Sequence, residues 1–343
     1  MEGDLGSISR AGGDVTNEPL AVVSIDTEED HWGADAGSET SARNVQQLFR
    51  VQELFEKCGA RPTYLANYAV LESMESVAVL SHLASKDAVE IGVHCHPWNT
   101  PPFRSHESGE SMMNRLDVET NTAKVRSVVT RLKGELGVNP QSFRAGRWGF
   151  GPTVAGALKP NGLTIDCSVT PGLNWGSEEG PDYTVAPDQP YRFHANDPFT
   201  EADDGELFEV PITVGFLRGR SRRLAPIRDR LSRSPVRRTK VVGALDRLGL
   251  LTQRTLSPEV ASVKDMRALI DAQIQGGASI VHVTFHSSTL LPGATPFVRD
   301  ATDRRQFLKA IDLILGHCRS QNLQFATISE VAQLVRRGRG TNE

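Results

Sequence analysis

Short apolar runs rich in β-branched residues alternate with amphipathic helical segments from Leu20 almost to the end of the chain. A period of two or a continuous apolar run predicts a strand, and a period near 3.6 predicts a helix. The predicted strands are residues 20–25, 62–67, 89–94, 142–144, 163–169, 207–216, 279–285 and 323–327. Strands separated by helices pair in parallel through right-handed crossovers. Roughly seven such units predict an α/β fold of the distorted (β/α)7-barrel type.

The predicted helices have the lengths that such crossovers need, and glycines follow several of them as stop signals. They comprise residues 39–58, 74–84, 111–136, 152–158, 257–275, 300–320 and 330–337. No glycine-rich phosphate motif of the GxGxxG or GxxxxGKS kind follows any predicted strand. The pattern therefore disfavours a nucleotide-binding fold.

A flexible tail is predicted for residues 1–19, which contain many Gly and Ser and no apolar segment. The barrel extends over residues 20–338, with insertions expected at about 170–206 and 217–256. We expect residues 1–19 not to be an export signal, and no apolar run reaches the roughly 18 residues that a spanning helix needs. The four cysteines lack CxxC spacing, so we expect reduced thiols and a cytoplasmic location.

The charge of the chain is unevenly distributed. The net charge is -4, yet residues 217–254 contain eleven Arg and one Lys against two Asp. This basic segment predicts contact with phosphate groups or peripheral contact with an anionic membrane surface. The alternative is a solvated lid whose charge offsets the acidic remainder of the chain. Aromatic residues do not interleave with the arginines, so we expect no nucleic-acid partner.

An acidic cluster follows the first predicted strand, where Asp26, Glu28, Glu29 and Asp30 stand within five positions. The period of two places Ser24, Asp26 and Glu28 on the face towards the barrel interior. Acids that end a buried strand are costly unless a positive group lies against them. The cluster therefore indicates a functional site, and the alternative is an acidic surface turn or helix cap.

Two histidines, His94 and His96, end the third predicted strand and share one of its faces. Two imidazoles and a carboxylate with open positions for water and substrate suit a catalytic divalent metal. The alternative is a pair of surface histidines that cap the turn before Pro97.

Further polar residues end other predicted strands. Arg144 follows an apolar residue where a guanidinium needs a buried carboxylate partner, and its alternative is a surface arginine. His286 lies just past Phe285 at the end of a later strand, whereas His282 lies inside that strand and is expected to be structural. Because catalytic groups of such barrels gather at the carboxyl ends of the strands, we expect these side chains to meet there.

The order of acid cluster, histidine pair, arginine, aspartate and histidine, each at a strand end, resembles the polysaccharide deacetylase superfamily (NodB homology, carbohydrate esterase family 4). The resemblance covers nearly the whole chain apart from the basic segment. It implies a distorted (β/α) barrel with a divalent metal, a catalytic base, an acidic ligand, two histidine ligands, an arginine that orients the base and a histidine general acid. By position these are Asp26, Glu28, His94, His96, Arg144 and His286.

This sequence departs from the pattern of that family in its first three motifs. The family has adjacent aspartates in the first motif, whereas Thr27 intervenes here, so Glu29 and Asp30 are alternative ligands to Glu28. The histidines of the second motif are usually four positions apart and are two apart here. Gly146 stands where the third motif commonly has proline. The chain is therefore identified as a divergent branch.

The fourth motif is also reduced, to Asp166 and Ser168. Val169 occupies the position of the aspartate that would tune the acid histidine. The resemblance then leaves Asp166 as the candidate catalytic residue that raises the basicity of His286.

These expectations describe a metal-dependent hydrolase that removes an N-acyl group, with acetyl expected, from an amino sugar or glycan precursor. Zinc is the expected metal, and Co²⁺, Ni²⁺ or Fe²⁺ are alternatives. Trp98, Trp148 and Trp175 lie in predicted rim loops, where they would stack on a sugar or pack the loops. The alternatives are a hydrolase of non-sugar C–N bonds of the cyclic amide type, and a catalytically inactive glycan-binding barrel.

Overall fold

A computed structural model describes residues 18–30, 41–103, 111–217 and 253–339. Within these ranges a nine-stranded sheet has the order β10-β1-β2-β3-β4-β5-β7-β6, and β11 pairs with β1. A separate antiparallel pair is formed by β8 and β9. The strands are β1 (Leu20–Thr27), β2 (Pro62–Ala66), β3 (Glu90–Cys95), β4 (Ser142–Ala145), β5 (Ile165–Asp166), β6 (Tyr191–Phe193), β7 (Leu207–Glu209), β8 (Val214–Phe216), β9 (Gln253–Thr255), β10 (Ile280–His286) and β11 (Gln324–Phe325).

Seven strands, from β10 through β1 to β5 and β7, pair in parallel and curl into a barrel. Backbone contacts connect the two ends of this row. The amide of Thr213 donates to the carbonyl of His282 over 3.3 Å, and the amide of Thr284 donates to the carbonyl of Leu256 over 3.1 Å. The predicted distorted (β/α)7 barrel is confirmed.

All of the described helices except the last pack on the outer face of this barrel. Those described are α1 (Leu48–Cys58), α2 (Tyr68–Leu71), α3 (Met74–Ala84), α4 (Val118–Leu136), α5 (Pro152–Leu158), α6 (Val263–Gln275), α7 (Ala301–Ser320) and α8 (Ile328–Arg339). Two of them begin six or seven residues later than the sequence pattern predicted. The cause is local, because the Asp117 and Ser262 side chains accept backbone amides three residues on and so cap α4 and α6.

Two apolar clusters lie on opposite faces of the sheet. The larger fills the space between the sheet and the outer helices and includes Val23 and Ile25 of β1. The smaller lies inside the barrel and includes Leu20 and Val22 of the same strand, together with Ile328 and other residues of α8. Helix α8 therefore closes the amino-terminal end of the barrel, and the interior is packed rather than open.

Above this inner cluster the interior positions become polar. Ser24, Asp26, His94, Arg144 and His282 are all buried and continue the faces that point into the barrel. Burial of so many polar groups is costly unless each has a partner. The fold thus assembles a polar network at the carboxyl ends of its strands.

The predicted insertions differ in how far the structure describes them. Residues 170–206 include β6, and Tyr183, Tyr191 and Phe193 from this range are buried in the outer core. Most of the basic segment, residues 218–252, lies outside the described residues, as do 1–17 of the predicted tail. All four cysteines are buried and unbridged. No helix in the described part of the chain is long and apolar enough to span a bilayer.

Candidate active site

Glu28, His94 and His96 converge on one point at the carboxyl end of the barrel. The Nε2 atoms of the two histidines are 2.8 Å apart. A Glu28 carboxylate oxygen, Oε2, lies 3.1 Å from Nε2 of His96 and 3.6 Å from Nε2 of His94. All three side chains are buried. The structure thus brings together the three residues predicted as metal ligands.

The hydrogen bond of His94 shows which of its nitrogens is free to bind a metal. Its Nδ1 lies 3.1 Å from the carbonyl oxygen of Arg144, which can only accept a hydrogen bond. The proton of His94 is therefore on Nδ1, and the lone pair of Nε2 faces His96 and Glu28. A backbone carbonyl that accepts the other ring N–H in this way is typical of histidines that bind metals. Two imidazole nitrogens and a carboxylate fit a Zn²⁺-like divalent cation.

Glu29, an alternative ligand, points away from this centre. Its carboxylate accepts hydrogen bonds from the side-chain amides of Asn67 at 2.5 Å and Asn99 at 2.9 Å, and from the indole of Trp98 at 3.3 Å. It therefore anchors the loop after His96 to the end of β2.

Asp30, the other alternative ligand, accepts hydrogen bonds from residues at the start of the next helical segment. Its carboxylate accepts from the hydroxyl of Ser41 at 2.7 Å and from the backbone amide and side chain of Asn44 at 2.8 and 2.7 Å. Of the three acids that the sequence left open, the structure places only Glu28 beside the histidines.

Asp26 and Arg144 form a buried ion pair next to these ligands. Nη1 of Arg144 donates to Oδ1 of Asp26 over 2.5 Å. The remaining donors of the guanidinium bind Ser24, Thr284 and the carbonyl of Cys167, at 2.8–2.9 Å. Burial alone would raise the pKa of Asp26, but Arg144, His94 and His286 hold this pKa below its ordinary value. Asp26 is therefore an ionised carboxylate with a fixed orientation.

The same network gives His282 a structural role. Its Nε2 lies 2.7 Å from the hydroxyl of Ser24, and its Nδ1 lies 3.2 Å from the carbonyls of Val210 and Pro211. Burial and the nearby Arg144 lower the pKa of His282 to about 3, so it is neutral. This agrees with its expected place in the strand interior.

His286 faces Asp26 across the site, in register with it between β10 and β1. Its Nε2 is 3.7 Å from Oδ2 of Asp26. On the other side of the ring, Nδ1 lies 2.9 Å from Oε2 of Glu259. Burial alone would lower the pKa of His286, but Glu259, Glu28 and Asp26 together raise it to about 10. The imidazole is therefore protonated at neutral pH, as a general acid must be.

The prediction that Asp166 partners His286 is wrong in its geometry, because Glu259 occupies that position. Asp166 lies on the opposite face of β5 from Ile165 and Cys167, which line the barrel interior. Its carboxylate accepts from the hydroxyl and amide of Ser168 at 2.7 and 3.0 Å. Burial and Asp166 raise the pKa of Glu209, its neighbour on β7, well above the ordinary value. This pair braces two strands outside the site.

Two tryptophans lie against the charged centre. The ring of Trp98 is 4.1 Å from that of His96, and the ring of Trp148 is 5.4 Å from the guanidinium carbon of Arg144. Arg147 and Trp148 have φ values of 52° and 59°, in the left-handed region that non-glycine residues rarely adopt. The hydroxyl of Tyr183 donates to the carbonyl of Trp148 over 2.6 Å and so holds this turn. Strained backbone of this kind gathers at functional sites.

Comparison with protein-family models gives no match, and comparison with curated proteins also gives none. Solved structures do match. A candidate polysaccharide deacetylase from Mycobacterium smegmatis superposes with a TM-score of 0.54 over 94% of this chain and 92% of that chain, at 14% identity. A candidate glycoside hydrolase or deacetylase from Parabacteroides distasonis gives a TM-score of 0.60 over 95% of this chain and 73% of that chain, at 13% identity.

The chain therefore has the α/β-barrel fold of polysaccharide deacetylase structures. The resemblance that the sequence motifs indicate is confirmed at the level of the fold, and the low identity agrees with a divergent branch.

Proposed function

We propose that this protein is a divalent-metal-dependent hydrolase that removes an N-acyl group, with acetyl expected, from an amino sugar or glycan precursor. One observation carries the proposal. The three candidate metal ligands lie beside an ionised carboxylate and a protonated imidazole. Asp26 is held ionised by Arg144, and His286 opposite it is held protonated. Amide hydrolysis needs one group to accept a proton and another to donate one.

Glu28, His94 and His96 would hold the metal. When bound, a divalent cation supplies Lewis-acid polarisation of the acyl carbonyl and lowers the pKa of the attacking water. Nε2 of each histidine and one carboxylate oxygen of Glu28 lie within 4.8 Å of one another, so the chain offers three ligand atoms to one cation.

Asp26 would remove the proton from the attacking water. Its pair with Arg144 keeps it charged, and the other donors of Arg144 are occupied by barrel groups. Arg144 therefore acts on the substrate only through Asp26, which it aims.

His286 would then give its Nε2 proton to the departing amine, which would otherwise leave as an unstable anion. This nitrogen is 3.7 Å from a carboxylate oxygen of Asp26. The proposed acid and base therefore lie on neighbouring strands, at the same rim of the barrel. One water molecule supplies the proton that the base takes, and the amine receives the proton that the acid gives.

Two features support a sugar as the substrate: the fold and the aromatic residues at the rim of the barrel. The two structures named above, from Mycobacterium smegmatis and Parabacteroides distasonis, are candidates for deacetylase or glycoside hydrolase activity. Trp98, Trp148 and Trp175 would offer ring faces to a sugar, and this role stays a prediction. So do the cytoplasmic location and the phosphate or membrane contact of the basic segment, which lies largely outside the described residues.

The test combines metal analysis with an amine-release screen. The full-length protein is stripped, reloaded with Zn²⁺, Co²⁺, Ni²⁺ or Fe²⁺, and incubated with N-acetylated sugars, their nucleotide-linked forms and cyclic amides. Metal-dependent release of amine from an N-acyl sugar supports the proposal. Turnover of cyclic amides alone would favour the non-sugar C–N hydrolase. Tight glycan binding without bound metal or turnover would indicate an inactive binding barrel.

A further inference from the structure

Glu259 holds His286 by both of its carboxylate oxygens. Oε2 lies 2.9 Å from the ring Nδ1, and Oε1 accepts the backbone amide of the same histidine at 2.9 Å. Oε1 also accepts the hydroxyl of Thr289 at 2.6 Å. The side chain of Glu259 is only 4% exposed. The hydroxyl of Ser257 donates to Oε2 as well, over 3.5 Å. A buried carboxylate with four donors around it is held in one orientation.

The chain around Glu259 is fixed to the barrel on both sides. The amide of Leu256, three residues earlier, donates to the carbonyl of Thr213 over 2.8 Å. The carbonyl of Leu256 in turn accepts the amide of Thr284 in β10, the strand that ends in His286. Three residues after Glu259, Ser262 caps helix α6. The turn between β9 and α6 thus delivers the carboxylate to the histidine as part of the barrel wall.

We propose that Glu259 is the positioning residue of His286: it keeps a proton on Nδ1 and aims Nε2, the nitrogen that exchanges protons, at the reaction centre. The proposal rests on the general-acid role given to His286 in the proposed function. It gives Glu259, in the turn after β9, the role that the family resemblance had assigned to Asp166.

The geometry leaves one consistent arrangement of protons. A carboxylate only accepts hydrogen bonds, so Nδ1 must be the donor towards Glu259 in both charge states of the ring. Nε2 is then the site that gains and loses the proton, and it faces Asp26 at 3.7 Å. The negative charge of Glu259 also favours the imidazolium, which agrees with the raised pKa of His286.

The fold contains a matched arrangement away from the site. Oε2 of Glu206 lies 2.8 Å from Nδ1 of His194, and Oε1 of Glu206 accepts the backbone amide of Ala195 at 3.1 Å. This pair stands beside β6 and β7, at the end of the strand row opposite to β10. Glu206→Gln therefore removes the same kind of contact without touching the proposed machinery.

The experiment compares zinc-loaded, full-length wild type, Glu259→Gln and Glu206→Gln by side-chain ¹⁵N NMR of the histidines across a pH series. We expect His286 of the wild type to keep its proton on Nδ1 when neutral. Glu259→Gln should lower the pKa of His286 by about one to three units, the usual effect of one close opposite charge. Glu206→Gln should change the titration of His194 only.

Kinetics provide the second readout. With an N-acyl sugar, Glu259→Gln should move the alkaline limb of the rate profile to lower pH. Hydrolysis of an activated ester should change much less, because its leaving group needs no proton. Thr289→Val removes one contact of Glu259 and leaves the ring contact, so it should retain the wild-type profile. A loss equal to that of Glu259→Gln would show a merely structural effect and overturn the proposal.

The outcomes separate this proposal from the proposed function. An unchanged titration and tautomer of His286 in folded Glu259→Gln overturns the positioning role, whatever the activity. If no N-acyl sugar is turned over by the wild type, the proposed function fails, and the NMR comparison still decides the role of Glu259. If Glu259→Gln does not fold, Glu259→Asp, which keeps the charge and shortens the reach, is measured instead. A wild-type tautomer, titration and ester-to-amide ratio in that variant would overturn the proposal.

Discussion

The ring of His96 fills the space that a side chain at Gly146 would need. A Cβ atom on Gly146 would lie 2.5 Å from Nδ1 and 2.7 Å from Cε1 of the His96 ring. The indole of Trp98 also packs against that ring, at 4.1 Å between ring centres. His96 is therefore in close contact with both the Gly146 backbone and the Trp98 indole, and we call this packing the His96 clamp. The two departures from the family pattern, the short histidine spacing and the glycine in place of proline, are thus physically linked.

The first prediction concerns that clamp. Gly146→Ala should displace the His96 ring and lower zinc affinity by about 10–100-fold, the range typical for loss of a group that orients a ligand. Calorimetric titration of the stripped protein with zinc measures this. Gly134→Ala is the control, since a Cβ there meets no atom within 4 Å. Wild-type zinc affinity in Gly146→Ala would show that His96 does not need this space.

The second prediction separates Glu28 from Glu29. Glu28→Gln should lose most of the bound metal, because it removes the charged ligand. Glu29→Gln should retain metal but lower the free energy of unfolding by about 1–3 kcal/mol, since a buried acceptor of several N–H groups is altered. Metal content and thermal unfolding, measured in parallel, check both effects. Metal loss in Glu29→Gln with full occupancy in Glu28→Gln would reverse the assignment.

Strand parity accounts for what the sequence could predict of the site. Asp26 follows Ile25 of the outer core and shares its strand face with Glu28, and His94 and His96 flank Cys95 of that core at the end of β3. Their shared face could be read from the sequence because a period of two fixes side-chain direction. The parallel arrangement of the strands then placed these faces at one rim.

The partner of His286 could not be found in this way. Residues 257–262 form a turn before α6, yet the sequence pattern assigned them to the helix itself, which hid Glu259. A carboxylate in a turn, 27 positions from its histidine, has no periodic signal. The assignment of Asp166 as the partner of His286 was wrong for a related reason. A strand of two residues is too short for the alternation of its side chains to be read from the sequence. Tertiary contacts, and not local pattern, place both side chains.

The third prediction concerns the base. Asp26→Asn should lower turnover by about 10²–10⁴-fold while zinc content is unchanged, because it removes a proton acceptor and not a ligand. Asp166→Asn is the control on the outer face of β5 and should retain catalysis. Amine release and metal content measure the two effects. Substantial activity in metal-loaded Asp26→Asn would assign the base to another residue.

The fourth prediction concerns the basic segment. Phe216 of β8 and Gln253 of β9 are paired neighbours, so the chain leaves and re-enters the barrel at one place. Replacing residues 218–252 with a short Gly-Ser turn should leave a folded, zinc-binding protein. Any loss should be confined to binding of phosphate-bearing substrates or anionic vesicles. An unfolded product would show that the segment supplies part of the core.

The last prediction concerns His286 and pH. The pKa of this histidine is raised to about 10 without metal, above its ordinary value near 6.5. The ion pairs of the imidazolium therefore stabilise the fold fully below pH 6.5, and this contribution disappears as pH rises towards 10. A cation on Glu28 offsets one of the charges that raise the pKa, so the metal-loaded enzyme should lose amide hydrolysis at a lower pH than 10. His286→Ala should retain metal and fold, lose most amide hydrolysis, and retain far more activity on an activated ester. Equal losses on both substrates would assign His286 to substrate orientation and place the acid elsewhere.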